Sequence, residues 1–273
     1  MVSDSTFEDQ LKQLEQWIKS HQTLPHKIAP VVIRRYLYSV NCDVDEAKKL
    51  IEHSYTLRSK YPNIFNDRDP LENDSLQNIF NVADLGVPMP SLTADNHRVI
   101  LNRLIDHDAE KFDFDNVIKS FFLAADYRFS ILDEKLPFGV NAGDIPIFDM
   151  AGFSYRHVTK LSISTIRCYM KFTQEAFPVR LKQIHLINCS PVLSKILMIL
   201  RPFMKAKVRD LLNYHSPEST TLLDHVPQEI LPNEYGGNAG SISDIKRNLV
   251  KQLESNREYL TSDSFWKPRD PAF

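Results

Sequence analysis

The stretch 178–212 constrains the fold most, because it joins a strand pattern, an apolar helix pattern and a run of cations. Residues 181–188 form a short apolar run without helical spacing, which predicts a buried strand. Ser190 and Pro191 follow, and serine before proline favours the start of a helix. That helix should end near Pro202, because the residue before a proline is pushed out of the helical region. A second helix with a basic start is expected to follow.

The predicted helix 191–200 is apolar on nearly all sides, although a surface helix needs only one apolar stripe. Residues 176–209 contain seven Lys or Arg and no Asp or Glu, while the whole chain has a formal net charge of −2. An apolar helix too short to span a bilayer, set among cations, favours a surface that meets apolar material and anionic headgroups together. A buried core helix beside solvated lysines fits the same pattern, so the residues alone leave both interpretations open.

Composition places the chain among soluble globular proteins. Its 273 residues allow one large domain or two modest ones, with 25% charged and 42% hydrophobic residues. No run approaches the roughly 18 apolar residues of a membrane-spanning helix, and the polar, acidic amino terminus does not look like a signal peptide. Three widely spaced cysteines favour reduced thiols over disulfides or a metal site. We therefore expect a cytoplasmic protein, and the near-neutral charge predicts no nucleic-acid partner.

Periodicity predicts two regions and a tail. Helical spacing dominates the first part of the chain, where glycine is absent before Gly86, and this predicts a helical bundle. Strand and helix patterns then alternate, which predicts βαβ units and a largely parallel sheet. The predicted strands are 98–104, 143–150, 181–188 and 213–215, and the predicted helices of this region are 113–132, 162–176, 191–200 and 243–258. The expected domains are a bundle at 1–75, an α/β domain at 76–250 and a C-terminal arm at 251–273.

Motifs for catalysis are missing. The sequence contains no G-x-G-x-x-G after a strand, no P-loop, no G-x-S-x-G and no H-E-x-x-H. His185 lies inside a predicted strand, where a core histidine is more common than a catalytic base. Cys189 follows that strand without an obvious base nearby in sequence. We therefore predict no catalytic residues, no metal site, no cofactor and no enzymatic activity.

Four separated motifs carry a resemblance to a known family. They are IFDMAGF (147–153), FPVRLKQIHLIN (177–188), RPFMKAKVRDLL (201–212) and LPNEYGG (231–237). In this order and spacing, they make the chain resemble the CRAL-TRIO lipid-binding family over roughly residues 10–260, and within it the branches that carry tocopherol and retinaldehyde. RRYLYSVNCDVDEAKKL also looks like the helical domain that precedes CRAL-TRIO domains. The resemblance implies an α/β fold: an N-terminal helical bundle, a mixed and mostly parallel sheet, an apolar cavity and a mobile helical gate.

The resemblance also implies site residues by position. The ligand-binding positions fall on Leu123, Asp126, Ser130, Phe148, Tyr169, Phe172, Thr173, Val179 and Ile184. The gate positions fall on Leu193, Ile196, Ile199 and Phe203. A groove for phosphoinositide headgroups falls on Arg180, Lys182 and Lys207, and Arg209 is added because the fourth basic position falls on Leu211. Asp126 is unusual in such a lining, because a buried carboxylate must be hydrogen-bonded, paired or protonated; an outward orientation is the alternative.

The function implied by this resemblance is the binding of one tocopherol-, retinoid- or carotenoid-like lipid in the cavity and its transfer between membranes. The expected protein is a monomer that associates peripherally with membranes, with a hydrophobic ligand and an anionic, phosphoinositide-bearing surface as partners. A lipid-sensing or sequestering module that does not deliver its ligand is the alternative. A lipid-modifying enzyme would need a nucleophile–base pair in the pocket, and the sequence offers none.

Overall fold

The amino-terminal helices share one core. The computed structural model of the protein describes residues 3–269. Its first helices are α1 (Asp4–Ser20), α2 (Pro30–Ser39), α3 (Val44–Lys60) and α4 (Pro62–Phe65). The carboxylate of Asp43 accepts hydrogen bonds from two backbone N–H groups in the first turn of α3, which caps that helix. Phe7, Leu14 and Ile51 are fully buried where the apolar faces of α1, α2 and α3 meet.

The next two elements were not predicted from the sequence. Helix α5 (Asp74–Val82) leads directly into strand β1 (Ala83–Leu92), which pairs antiparallel with the following strand at the edge of the sheet. Pro88 and Pro90 lie inside β1, and the pairing register shifts twice along it. Proline has no N–H to donate to a neighbouring strand, so it is tolerated in an edge strand. It also interrupts the alternating apolar pattern, and this is why the sequence did not predict β1.

A mixed sheet forms the centre of the second region. Its remaining elements are β2 (His97–Leu104), α6 (Phe114–Phe129), β3 (Gly143–Asp149), α7 (Tyr155–Thr159), α8 (Ile163–Glu175), β4 (Ile184–Ile187), α9 (Val192–Leu200), α10 (Ala206–Arg209) and β5 (Leu212–Tyr214). The five strands follow chain order, and all pairs except β1–β2 are parallel. The predicted α/β class with a mixed, mostly parallel sheet is confirmed. Since parallel crossovers are right-handed, this order places α6 and α8 on the same face of the sheet.

The carboxyl-terminal segment returns to the amino-terminal helices. Where one helix was predicted at 243–258, the structure has α11 (Ile242–Ser255) and α12 (Arg257–Thr261), followed by α13 (Asp263–Trp266). Helix α11 packs on β1 and α6. The indole of Trp266 lies over the guanidinium of Arg58 in α3 at 4.6 Å. Residues 270–273 of the predicted arm lie outside the described residues.

Candidate functional site

A cavity of about 290 Å³ lies between one face of the sheet and helices α6, α8 and α9. Side chains alternate between the two faces of a strand, so every second residue of a strand can reach the cavity. In β4, Ile184 and Leu186 line it, and His185 between them faces the other way. The lining is mostly aliphatic and aromatic. Its volume lies just below the usual range of small-molecule pockets, about 300–1,000 Å³.

Helix α9 forms one wall of this cavity and is apolar on two faces. Leu193 and Ile196 line the cavity, whereas Met198 is 61% exposed on the opposite side. The helix is therefore not a fully buried core helix, and this removes one of the two interpretations left open by the sequence. Leu193 and Ile196 belong to a small apolar cluster with Met150 and Leu186, separate from the main core. Helix α9 is therefore packed on a cluster of its own and not on the main core.

The structure divides the predicted ligand-binding residues into two groups. Those that line the cavity are Phe148, Tyr169, Thr173, Val179 and Ile184. Those outside its lining are Leu123, Asp126, Ser130 and Phe172. Leu123 and Phe172 are fully buried in the main core. The hydroxyl of Ser130 donates a hydrogen bond to the carbonyl oxygen of Tyr127 at the end of α6, at 2.7 Å.

Asp126 lies in a buried ion cluster and not in the cavity wall. Its side chain is 2% exposed, and its carboxylate accepts hydrogen bonds from Arg58 at 2.9 Å and Arg68 at 2.6 Å. Burial acts to raise the pKa of Asp126, but the two guanidinium groups outweigh it and hold the pKa below its ordinary value. The carboxylate is therefore ionised and joins α6 to the amino-terminal helices, which contradicts its predicted position in the lining and the alternative of an outward orientation.

The predicted gate residues also divide. Leu193 and Ile196 line the cavity, but Ile199 and Phe203 do not. Ile199 is half-buried on α9. Phe203 belongs to a short 3-10 turn, and its carbonyl oxygen accepts a hydrogen bond from the side chain of Gln174 at 2.9 Å. Lining residues that the sequence reasoning missed include Ile100, Leu104, Leu197, Leu200, Met204, Val208 and Leu212. The alternation along the predicted strand 98–104 is the signal that could have found the first two.

Three of the predicted basic residues share one edge of the sheet. Lys182 comes just before β4, while Lys207 and Arg209 come just before β5, and these strands run parallel. The amino-terminal ends of parallel strands meet at one edge, so these residues approach the same region of the surface. Lys207 and Arg209 are exposed. The guanidinium of Arg180, in contrast, lies 3.9 Å over the ring of Tyr38 and donates a hydrogen bond to the Tyr38 carbonyl oxygen.

Groups for other chemistry are few in the part of the chain that the structure describes. Nδ1 of His185 and Nε2 of His215 lie 2.9 Å apart on the sheet face opposite the cavity. The thiol of Cys189 donates a hydrogen bond to the Leu186 carbonyl oxygen at 3.0 Å. Across residues 3–269, no set of three or more His, Cys, Asp or Glu side chains is arranged to hold a metal ion. None of the helices within that range has the length and apolar character to cross a membrane.

Comparison with known proteins agrees with this architecture. Residues 86–237 match the CRAL/TRIO domain, and residues 3–75 match the Pinta-like UBA domain. The human alpha-tocopherol transfer protein-like protein is 23% identical over 232 residues, which cover 85% of this chain and 65% of the relative. Rat clavesin-2 is 32% identical over 95 residues, covering 35% of this chain and 29% of the relative. The chain thus spans about 65% of the length of the human tocopherol transfer protein-like relative.

A solved structure supports the fold alone. The crystal structure of Sfh5 superimposes with a TM-score of 0.54 and 13% sequence identity, covering 92% of this chain and 98% of that chain. The CRAL/TRIO match covers more than half of the present sequence, and it includes most of the sheet, most of the cavity lining and α9. The chain therefore belongs to the CRAL/TRIO domain family of lipid-binding and transfer proteins.

Proposed function

We propose that the protein holds one hydrophobic small molecule of the tocopherol, retinoid or carotenoid kind in the cavity and transfers it between membranes. The cavity itself carries this proposal. Protein interiors are close-packed, and an empty apolar space costs stability in proportion to its volume. A space of about 290 Å³ with a largely apolar lining is therefore best explained by a lipophilic ligand that fills it. The relatives named as tocopherol transfer protein-like support the same class of ligand.

Helix α9 serves as the gate in this proposal. Its inner face, with Leu193 and Ile196, covers the ligand, and its outer face presents Met198 to the surroundings. When the gate moves away from the cavity, both faces become apolar surface that a membrane can bury. The membrane then replaces the apolar contacts that Leu193 and Ile196 make with Met150 and Leu186. Opening of the gate therefore costs less free energy at a membrane than in water.

The first experiment asks what the protein retains and whether it delivers it. Purified protein is extracted with organic solvent, the extract is identified by mass spectrometry, and transfer of the same lipid from donor to acceptor vesicles is timed. We expect Met198→Asp to retain the lipid and to slow transfer, because a charge on the outer face opposes membrane contact. Leu223→Asp, at a 43% exposed apolar residue outside α9, is the matched control.

The outcomes separate the candidate functions. Retention without transfer to any acceptor vesicle would support the sequestering or sensing alternative. Equal transfer rates for the Met198→Asp variant and the parent would contradict the proposed role of α9 as a gate. If the protein neither retains nor takes up a lipophilic molecule, the proposed function is wrong.

Anionic headgroups are the second part of the proposal. We propose that Lys182, Lys207 and Arg209 bind a phosphoinositide headgroup while α9 meets the membrane. The support is the position of these cations at one sheet edge, next to the strands that flank α9. Lys205 nearby is less available, because it pairs with Glu175 at 2.9 Å. Arg180 is left out of this group because its guanidinium is engaged by Tyr38.

The test is a triple variant, Lys182→Ala, Lys207→Ala and Arg209→Ala. Each cation near an anionic surface is worth about 1 kcal/mol, so binding to phosphoinositide-bearing vesicles should fall on the order of a hundredfold. The control removes the same charge elsewhere: Lys12→Ala, Lys49→Ala and Arg247→Ala, each from an exposed pair three residues apart on a helix. An equal loss in both triple variants would mean that only net charge matters.

A further inference from the structure

The hydroxyl group of Tyr169 is a polar group of the cavity wall that has no hydrogen-bond partner among residues 3–269. Tyr169 lies on α8, is half-buried and lines the cavity. Its ring packs edge-on against Phe121 with centroids 5.3 Å apart and tilted against Phe122 at 6.1 Å. The hydroxyl oxygen is not among the fully enclosed unpaired atoms, so it keeps accessible surface. A group that lines the cavity and keeps such surface can be reached by a ligand.

The other polar side chains of the wall are already engaged. Those with at least one hydrogen bond or ion pair inside the protein are Asn102, Arg103, Arg128, Asp144, Asp149, Thr173 and Gln174. The Nε atom of Arg128 has no partner, but it is fully enclosed, so a ligand cannot contact it without a rearrangement of the wall. In the described part of the wall, Tyr169 is thus the side chain that offers a ligand an unused and accessible polar atom.

The cations around the cavity are paired, whereas Asp149 in its wall has only neutral hydrogen-bond donors as partners. Arg128 pairs with Asp144 at 2.7 Å, and Arg103 pairs with Asp84 at 2.7 Å. Burial alone raises the pKa of Tyr169 above its ordinary value, with no charged neighbour contributing, so its hydroxyl stays neutral. An anionic ligand placed here would have no unpaired cation to meet and would be repelled by Asp149, and an uncompensated buried charge is very costly. The site therefore suits an uncharged polar group.

We propose that the Tyr169 hydroxyl hydrogen-bonds a single uncharged oxygen of the bound lipid, so that the cavity selects lipophilic alcohols and carbonyl compounds over hydrocarbons and fatty acids. The inference rests on the proposed binding of a lipophilic ligand and names its chemical class. A phenolic hydroxyl can both donate and accept, so it fits a hydroxyl or a carbonyl oxygen equally. A hydrocarbon would leave the Tyr169 hydroxyl without a partner, and this costs free energy.

Three probes with the same chain length test the proposal: tetradecanol, tetradecane and tetradecanoic acid. Delipidated protein is incubated with neutral vesicles that contain equal amounts of all three, then re-isolated, and each bound probe is quantified by mass spectrometry. We expect the parent to bind mainly tetradecanol. Tyr169→Phe keeps the ring and removes the hydroxyl, so the tetradecanol-to-tetradecane ratio should fall about tenfold. The total uptake of probe should be maintained.

Tyr127→Phe is the matched control. Its hydroxyl donates a hydrogen bond to Gln252 at 3.1 Å and does not line the cavity, so the probe ratio should stay at the parent value. The inference would be wrong if the tetradecanol-to-tetradecane ratio stayed unchanged in Tyr169→Phe, or if the parent preferred tetradecanoic acid. In either case, uptake of the probes would still agree with the proposed function. If the parent takes up none of the three probes but retains another lipophilic molecule on purification, the inference is wrong and the proposed function stands.

Discussion

Helix α6 packs differently on its two faces. The face with Leu123 and Asp126 is filled, with one side chain in the main core and the other in the ion cluster. The face with Phe121 and Ala125 borders the cavity. Helix α8 also contributes to both regions, with Phe172 in the core and Tyr169, about one turn earlier, at the cavity. The same two helices thus build part of the core and part of the cavity wall.

This comparison predicts that substitutions on the filled faces lower stability, whereas substitutions at the cavity change ligand binding. The largest effect is expected for Phe172→Asp. Phe172 is fully buried, and its ring lies 4.8 Å from that of Phe65 and 5.0 Å from that of Phe122. Loss of this packing costs about 3–5 kcal/mol and the unpaired carboxylate adds several more, which approaches the whole stability of a domain, about 5–15 kcal/mol.

Far-ultraviolet circular dichroism and urea unfolding measure this effect. Ile163→Asp is the control on the same helix, because Ile163 is 51% exposed and an acidic residue is favourable in the first turn. A Phe172→Asp variant that keeps parental stability and only loses its ligand would move Phe172 to the cavity face.

The next effect in size is expected for Asp126→Asn. The substitution leaves Arg58 and Arg68 buried without a negative partner, and breaking a buried pair in this way costs about 3–5 kcal/mol. Lipid retention by the folded fraction should not change, since Asp126 does not line the cavity. Glu110→Gln, in an exposed pair with Arg156, should alter the unfolding midpoint little. Similar midpoints for the two variants would contradict the role of the ion cluster.

The sequence predicts the helices and strands of the α/β domain, but not which face of α6 borders the cavity. Residues 121–125 of α6 are apolar without interruption, so periodicity does not distinguish the two sides. The positions predicted for the ligand, Leu123, Asp126 and Ser130, share one face of a helix. The cavity residues Phe121 and Arg128 lie two positions before Leu123 and Ser130. A shift of two residues turns the side chain by about 200°, which is enough to exchange core for cavity.

The ion pair between Arg58 and Asp126 was also not predictable from the sequence. The sequence marks Asp126 as unusual, because a buried carboxylate needs a partner, but that partner, Arg58, lies 68 residues earlier in the chain. No local pattern connects the two. Helix α9 was predictable because its evidence is local: a proline at each end and apolar residues on nearly every side.

A smaller effect on stability is expected from His185, which is buried on the sheet face opposite the cavity. Burial lowers the pKa of His185 to about 4, with further lowering by His215 and His225. In the unfolded chain a histidine titrates near its ordinary value, about 6.5. Folding therefore opposes protonation, so stability is constant above about pH 6.5 and falls as the pH drops towards 4, by about 3 kcal/mol in total.

Urea unfolding at pH 7 and pH 5 measures this dependence. Over that interval the loss attributable to His185 should be about 2 kcal/mol. His185→Gln keeps a polar side chain for the contacts to His215 and Gln183 but removes the titration, so its stability should depend less on pH. The pKa of His215 is also lowered by burial and by His225, with Asp224 acting in the opposite direction, so some dependence should remain. His26→Gln, at an exposed histidine, is the control that should keep the parental slope.

The last comparison makes the same substitution in the core and at the cavity, and the smallest change in stability is expected at the cavity. Leu123→Phe adds volume to a fully buried core position and should cost about 1–3 kcal/mol. Leu193→Phe adds the same volume beside the cavity, where the larger ring has space, so its cost in stability should be smaller than at Leu123. Lipid uptake should show the reverse order, because only the second ring occupies ligand volume. Urea unfolding and extraction of bound lipid give both numbers for each variant. Equal destabilisation at the two positions would mean that the cavity closes when no ligand is present, and the comparison of the two faces would then hold only for the ligand-bound protein.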